Sequence, residues 1–198
     1  FWDNLRNNCV GYFNIDQVGF RDGSVFRLLS TEDISGWVND VIHRESGQDN
    51  ATVAPGRNSD QSFWGLGIPS FAFRGALTPE SDDYPPDYRG NGLPWYWHNK
   101  ADTIDKILPD LLLDHSQVHA SALTELLILP VLPLDPSATV KVIQSKWKDV
   151  SEAAGDAFEV SSIQENLDRL IERIGALLEK SKSVADEDEA RQINKTLL

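Results

Sequence analysis

Apolar runs alternate with helix-like periodicity between residues 10 and 129, and this alternation constrains the fold more than any other feature of the sequence. Residues 10–16 predict a buried strand that ends in the carboxylate of Asp16, and residues 25–29 and 69–73 predict two further short strands. Apolar residues at helical spacing predict a helix over residues 34–44, between the second strand and the third. Such an alternation is typical of α/β proteins.

The composition changes after residue 134. Before this point, residues 109–129 predict a strongly apolar helix that is closed by Pro130 and Pro133. After it, apolar residues recur at helical spacing in three stretches, which predict three amphipathic helices. We therefore predict two domains, residues 1–134 and residues 135–198. The three helices cannot all bury their apolar stripes alone, so we expect them to pack on each other and on the first domain or a partner subunit.

Charge and composition exclude several classes of function. The formal net charge is −13 and no cluster of Lys and Arg offsets it, so nucleic acid is not an expected partner. No apolar run approaches the roughly 20 residues of a membrane helix. The single cysteine, Cys9, excludes an internal disulfide, and its apolar neighbours favour a buried thiol. Because the chain contains no methionine, we expect it to be a processed product or a piece of something longer.

Asp16 and His98 lie at positions where functional residues are often found. Asp16 ends a predicted strand, and ligands of open α/β sheets bind beyond the carboxyl ends of strands, although an aspartate there also forms turns or caps helices. His98 follows an aromatic run at the end of the irregular stretch 75–94, which we interpret as the rim of a site. Its imidazole could bind zinc with Asp102 as the partner of its second nitrogen, or it could be structural.

The other histidines favour structural roles. His115 and His119 are spaced i, i+4 on a predicted helix, which permits a metal pair, but the glutamate of the zincin motif does not stand between them. We predict that both are structural residues. His43 lies on the polar flank of a predicted amphipathic helix and is predicted to be a surface residue.

Three segments together resemble the zinc aminopeptidase and glutamate carboxypeptidase family of di-zinc exopeptidases. They are Tyr12-Phe13-Asn14-Ile15-Asp16, then the stretch from Asn58 to Pro69 (NSDQSFWGLGIP), and then Trp97-His98 with Asp102-Thr103-Ile104-Asp105. The segment 128–135 (ILPVLPLD) and the helices after it further resemble the transferrin-receptor-like branch, whose last domain is helical and dimerises.

The resemblance implies a mixed β-sheet flanked by helices and two zinc ions bridged by an aspartate and a water. It implies that Asp16 is the terminal aspartate of one zinc and His98 the histidine of the other. The remaining ligands and the general-base glutamate belong to a part of the family fold upstream of this chain. Because a catalytic zinc normally takes three protein ligands, we predict that this chain alone binds zinc weakly and hydrolyses nothing.

The resemblance also supplies candidate substrate-binding residues. Ser59 and Asp60 occupy the segment that lines the pocket in relatives. Trp97 stands where the glutamate-preferring branch carries a tyrosine that contacts substrate, so the hydroxyl contact is missing here. Arg74 is at most the one representative of the arginines that recognise acidic substrates in that branch, so we do not predict a preference for glutamate.

Two functions of different classes follow from these features. The first is a fragment of a metallo-exopeptidase, either an aminopeptidase or a carboxypeptidase, with a peptide substrate and the upstream half of the same protein as partners. The second is a non-catalytic transferrin-receptor-like binding or dimerisation module. In both, we expect a homodimer through the carboxyl-terminal helices. The compartment stays open, with the resemblance slightly favouring an extracellular or periplasmic one.

Overall fold

The protein is described by a computed structural model over residues 1–54, 63–85, 92–155 and 161–198. The elements run in the order α1 (Trp2–Asn8), β1 (Tyr12–Asn14), β2 (Val25–Ser30), α2 (Glu32–Ser46), β3 (Ser70–Ala76), α3 (Pro109–Ile128), α4 (Pro136–Ala154), α5 (Ser161–Ser181) and α6 (Glu187–Leu197). Short 3-10 turns lie at Trp64–Leu66 and Ile104–Lys106. The combination of a small sheet with flanking helices confirms the predicted α/β class.

The three strands form a mixed sheet in the order β1-β3-β2. β1 runs parallel to β3, with Tyr12 opposite Ser70 and Asn14 opposite Ala72. β2 runs antiparallel to β3 over its whole length, from Val25 opposite Ala76 to Ser30 opposite Phe71. The carboxyl ends of β1 and β3 and the amino end of β2 therefore share one edge of the sheet, where Asp16 follows β1.

The chain divides into two compact units. The first consists of residues 1–31 and 35–128, and the second of residues 32–34 and 129–198. The sheet, α3 and most of α2 belong to the first unit, whereas α4, α5 and α6 belong to the second.

One face of the sheet carries most of the aromatic core of the first unit. Phe71 and Phe73 are two residues apart on β3 and therefore point to the same face. The ring of Phe13 stacks on Phe71 at 4.5 Å between centroids, and Phe73 lies 4.0 Å from the ring of His119 on α3. Trp37 of α2 meets Phe71 edge-on at 5.7 Å. Both helices thus cover the same face of the sheet.

A polar trio fastens α2 to α3 within this unit. The indole nitrogen of Trp37 donates to Oε1 of Glu125 at 2.8 Å, and Arg44 donates to the other oxygen at 2.6 Å. These two hydrogen bonds hold the pKa of Glu125 below its ordinary value. The trio thereby fixes how α2 and α3 pack against each other.

The second unit is a small helical cluster. Val140, Leu167 and Ile174 form a buried cluster in it, and Trp147, Ile171 and Leu178 pack against them. Asp186 accepts from the backbone of Glu189 at 2.9 Å while Glu189 accepts from that of Ala185 at 3.0 Å, so a reciprocal cap begins α6. Asn194 bonds to the backbone of residues 130 and 132, which attaches α6 to the start of the unit.

Some elements differ from their predicted form. β1 covers three residues instead of seven, because it pairs with β3 only from Tyr12 to Asn14. α1 was not predicted, since this short helix buries no side chain and so leaves no periodic pattern. The prediction that Cys9 is buried is wrong: it follows α1, outside the strand, and is partly exposed.

None of the helices in the described ranges combines the length and the apolar character that a membrane crossing requires.

Candidate functional site

Asp16 lies at the carboxyl edge of the sheet, directly after β1. Its Oδ1 accepts a hydrogen bond from the backbone of Gln17 at 2.8 Å, and Gln17 takes a left-handed conformation with φ of 56°. Among the described residues, Oδ2 has no hydrogen-bond partner, and the side chain is exposed. The turn thus uses one carboxylate oxygen and leaves the other available.

His98 lies on an exposed turn. Its φ is 60°, an uncommon conformation for a residue with a side chain, and its ring stacks on Trp97 at 3.6 Å between centroids. Within the described ranges no side chain bonds to the ring nitrogens, and Asp102, the predicted partner, instead donates its backbone N–H to the carbonyl of Asn99. The predicted His98–Asp102 hydrogen bond is therefore absent from this part of the structure.

The loop that carries Asp16 is bonded to the segment that carries His98. We call residues 16–23 the Asp16 loop and residues 92–108 the His98 segment. The backbone carbonyl of Gly19 accepts a hydrogen bond from the N–H of Leu108 at 2.8 Å. The backbone N–H of Arg21 donates to the carbonyl of Lys106 at 2.7 Å. Phe20 and Ile107 form an isolated antiparallel bridge between these bonds. The backbones of the two stretches are thus joined over several residues.

A buried carboxylate links the same two stretches through side chains. The carboxylate of Asp83 accepts hydrogen bonds from Nε and Nη2 of Arg21 at 2.7 and 2.9 Å. It also accepts one from the indole nitrogen of Trp95 at 3.1 Å. The backbone N–H of Trp95 also donates to the carbonyl of Asp83 at 2.9 Å. Arg21 lies five residues after Asp16, and Trp95 three residues before His98. Sequence reasoning did not identify Arg21, Asp83 or Trp95.

The charges in this cluster support one another. The hydrogen bond from Arg21 holds the pKa of Asp83 below its ordinary value against the opposing effect of burial, and Asp83 raises the pKa of Arg21 in return. Nearby, burial raises the pKa of Tyr96 to about 12. The Arg21–Asp83 pair is therefore fully ionised at neutral pH, and the Tyr96 hydroxyl is protonated.

The loop is also fastened to the sheet at Gly75. The N–H of Gly75 on β3 donates to the carbonyl of Gln17 at 2.9 Å. A Cβ at this position would lie 2.7 Å from the carbonyl oxygen of Gly23 and 2.9 Å from Cε1 of His115. Only glycine permits this close approach, which places the Asp16 loop over the end of β3.

The remaining candidate residues differ in how they are placed. Arg74 lies on β3, half-buried and directly opposite Arg27 on β2. Trp97 is 37% exposed and forms the stacking partner of His98. Ser59 and Asp60 lie outside the described residues. The role of Arg74 and Trp97 in substrate binding stays a prediction.

A cavity of about 360 Å³ opens at the same edge of the sheet. It lies where β3 ends and β2 begins, and its lining includes Val25, Arg27, Asn50, Leu77, Tyr84 and Gly92. Its volume falls in the range of small-molecule sites.

His115 and His119 are buried structural residues, as the sequence predicts. Nδ1 of His115 accepts from the N–H of Gly19 at 3.1 Å, so its proton lies on Nε2 in the neutral ring. The two nitrogens of His119 lie 2.7 Å from the carbonyl of His115 and 3.0 Å from that of Phe73. His43 lies on the surface, with Nδ1 2.8 Å from the exposed Asp49.

The donor chemistry of Asp16 and His98 fits zinc only in part. An exposed carboxylate oxygen and an exposed imidazole are both common zinc ligands. However, no group of three or more His, Cys, Asp or Glu residues that could hold a metal ion occurs in residues 1–54, 63–85, 92–155 and 161–198. These residues could contribute ligands to a zinc site but do not complete one.

The chain has a structural neighbour among known proteins but no matching family. No protein-family model matches the sequence, and no curated protein matches it. An aminopeptidase from Aneurinibacillus sp. strain AM-1 is similar in structure, with a TM-score of 0.48 and 21% sequence identity. The similarity covers 62% of this chain and 27% of the aminopeptidase. Because the chain spans little more than a quarter of that protein, the activity of a whole enzyme can only be proposed for it.

Proposed function

We propose that this chain is the carboxyl-terminal part of a two-zinc exopeptidase, in which Asp16 binds one zinc and His98 the other. The observation that carries the proposal is the direct bonding between the Asp16 loop and the His98 segment at the carboxyl edge of the sheet. Ligands of open α/β sheets bind at this edge. One oxygen of Asp16 and the ring nitrogens of His98 have no hydrogen-bond partner among the described residues and would serve as the ligands.

The residues of this chain would act by holding and orienting. The Gln17 N–H leaves Oδ2 of Asp16 available as the metal-binding oxygen, and stacking on Trp97 limits how the His98 ring can turn. The chemistry that zinc supplies when bound is Lewis-acid activation of water and of the peptide carbonyl. The general base and the other ligands would come from the upstream half of the protein.

Zinc titration of the isotope-labelled chain tests the proposal. Because each metal would find only one ligand here, we expect weak binding that shifts NMR signals of the Asp16 loop and the His98 segment. His98→Ala should abolish the response of the His98 segment and leave that of the Asp16 loop. His43→Ala is the matched control, since it removes an exposed histidine beside an aspartate elsewhere on the unit. An unchanged response in His98→Ala would contradict the assignment.

In the intact parent protein, the same substitutions should affect hydrolysis. Loss of a residue that merely orients a ligand typically costs 10–100-fold in metal affinity or activity, so Asp16→Asn or His98→Ala should lower kcat/KM by more than about 100-fold. Unchanged hydrolysis would remove both residues from the mechanism and favour the alternative, a non-catalytic transferrin-receptor-like module.

We also propose that the second unit mediates self-association. Ile143 and Val150 on α4, and Ile163 and Leu170 on α5, are apolar residues that remain exposed. Each pair is seven residues apart, so each forms a stripe along one face of its helix. A second copy of the chain, with the same stripes, is the proposed partner.

Light scattering of the full chain tests this proposal. Ile143→Glu combined with Leu170→Glu places charges on both stripes without touching the buried cluster, and we expect the dimer mass to fall to that of one chain. Lys146→Glu, also exposed on α4, should leave the mass unchanged. A dimer that persists in the double variant would show that these stripes are not the interface.

A further inference from the structure

We propose that Asp83 is a positioning residue that sets the separation and orientation of Asp16 and His98. The inference rests on the proposed function, because it concerns the two residues assigned there as metal ligands. Asp83 itself would touch neither metal nor substrate. It would act through Arg21 on one side and Trp95 on the other.

The carboxylate of Asp83 accepts three hydrogen bonds from two side chains. Both oxygens of Asp83 bond to Arg21, and Oδ1 also accepts from Trp95. A two-point contact between guanidinium and carboxylate fixes direction as well as distance. The donors come from the Asp16 loop and the His98 segment, so the carboxylate adds a side-chain link to the backbone hydrogen bonds that join these two stretches.

Burial restricts this contact on the side of the carboxylate. Asp83 is only 5% exposed, whereas the side chain of Arg21 that binds it is 42% exposed. Two further hydrogen bonds extend the cluster, because Ser81 donates its hydroxyl to Asp22 at 2.9 Å and accepts from the N–H of Asp83 at 3.2 Å. The turn that carries Asp83 is thereby attached to the Asp16 loop at a second point.

The first unit contains a matched cluster that serves as a comparison. Trp37, Glu125 and Arg44 repeat the same three groups, an indole N–H and a guanidinium on one carboxylate. That cluster joins α2 to α3 and bonds to neither the Asp16 loop nor the His98 segment. Removing its carboxylate should cost stability without affecting the two proposed ligands.

The position of Asp83 matters because a small displacement of a metal ligand would lower the reaction rate of the intact enzyme. A shift of about 1 Å in a reacting group can reduce a rate about 100-fold. Asp16 and His98 would belong to separate metals, and so a metal does not by itself fix their relative position. Among the described residues, the Asp83 cluster is a side-chain link between the two stretches. It would help to fix the position of Asp16 relative to His98.

Pulsed electron–electron spin resonance on the full chain tests the inference. In a Cys9→Ser background, spin labels are placed at Ile15→Cys and Lys100→Cys, which are exposed positions beside Asp16 and His98. We expect a single narrow distance in the parent and the loss of that narrow distance in Asp83→Asn. Glu125→Gln should keep the narrow distance while lowering the melting temperature. Asp83→Glu, which restores the charge, should recover part of the narrow component.

The outcomes separate this inference from the proposed function. A narrow distance that survives Asp83→Asn would overturn the positioning role. If Asp83→Asn fails to fold, Trp95→Phe replaces it, because it removes one donor and keeps an aromatic ring, and an unchanged distance there would also overturn the role. Failure of the chain to respond to zinc would refute the metal assignment while leaving the distance measurement valid.

Discussion

Replacing Phe73 by alanine should destabilise the first unit by about 3–5 kcal/mol, the usual cost of truncating a fully buried phenylalanine. Phe73 is 0% exposed and lies on the central strand, β3. Its ring contacts His119 at 4.0 Å, Phe13 at 5.4 Å and Phe26 at 5.8 Å between centroids. The truncated side chain would leave a cavity where the sheet meets α3.

Urea unfolding, followed by the circular dichroism of the whole chain, measures this loss. A domain of this size has a total stability of about 5–15 kcal/mol, so Phe73→Ala should shift the midpoint strongly. Ile104→Ala is the control, because Ile104 is 86% exposed and should change the free energy of unfolding by no more than about 0.5 kcal/mol. If Phe73→Ala and Ile104→Ala unfolded at the same urea concentration, the packing around β3 would be wrong.

The parts of the fold that the sequence predicted are those with local apolar patterns. β2, α2 and α3 bury residues at regular spacing, and β3 is buried along almost its whole length. Each was predicted within a few residues of its observed bounds. α1 buries nothing and left no signal. Apolar periodicity in the sequence indicates which residues are buried, so an element that buries no side chain cannot be predicted from it.

The candidate site also contains residues that sequence patterns predict and residues that they do not. Asp16 and His98 were identified from motifs, because strand ends and aromatic runs are visible in the sequence. Arg21 and Asp83 are 62 residues apart, and a single pair at that distance produces no periodic pattern. Neither residue belongs to a recognisable motif. The contact that links the two candidate ligands became visible only once the chain was folded.

The first unit should lose stability as the pH falls below about 6.5, the ordinary pKa of histidine. Burial lowers the pKa of His115, and the neighbouring His119 lowers it further. Burial also lowers the pKa of His119, although the carbonyls of His115 and Phe73 act in the opposite direction. Burial is the larger of these effects, so the pKa of His119 lies below its ordinary value.

The sign of the effect follows from which state binds protons. Below about pH 6.5 the unfolded chain protonates both histidines while the folded unit keeps them neutral. The free energy of unfolding therefore has its full value above this pH and declines toward the lowered pKa values of the folded state. Each histidine can contribute a slope of about 1.4 kcal/mol per pH unit, and the two together about 2.7 kcal/mol. Asp83, whose pKa is lowered from that of an ordinary carboxylate, affects stability only at more acidic pH.

Urea unfolding at pH 7.5, 6.5 and 5.5 tests this expectation, because these values span the ordinary pKa of histidine at about 6.5. His115→Gln and His119→Gln should each lower stability at pH 7.5 and each remove about half of the slope between pH 6.5 and pH 5.5. His43→Gln should leave the slope as it is, since His43 lies exposed on the surface. A slope that the two buried variants do not change would mean that other groups bind the protons, and that the aromatic face between β3 and α3 does not keep these histidines neutral.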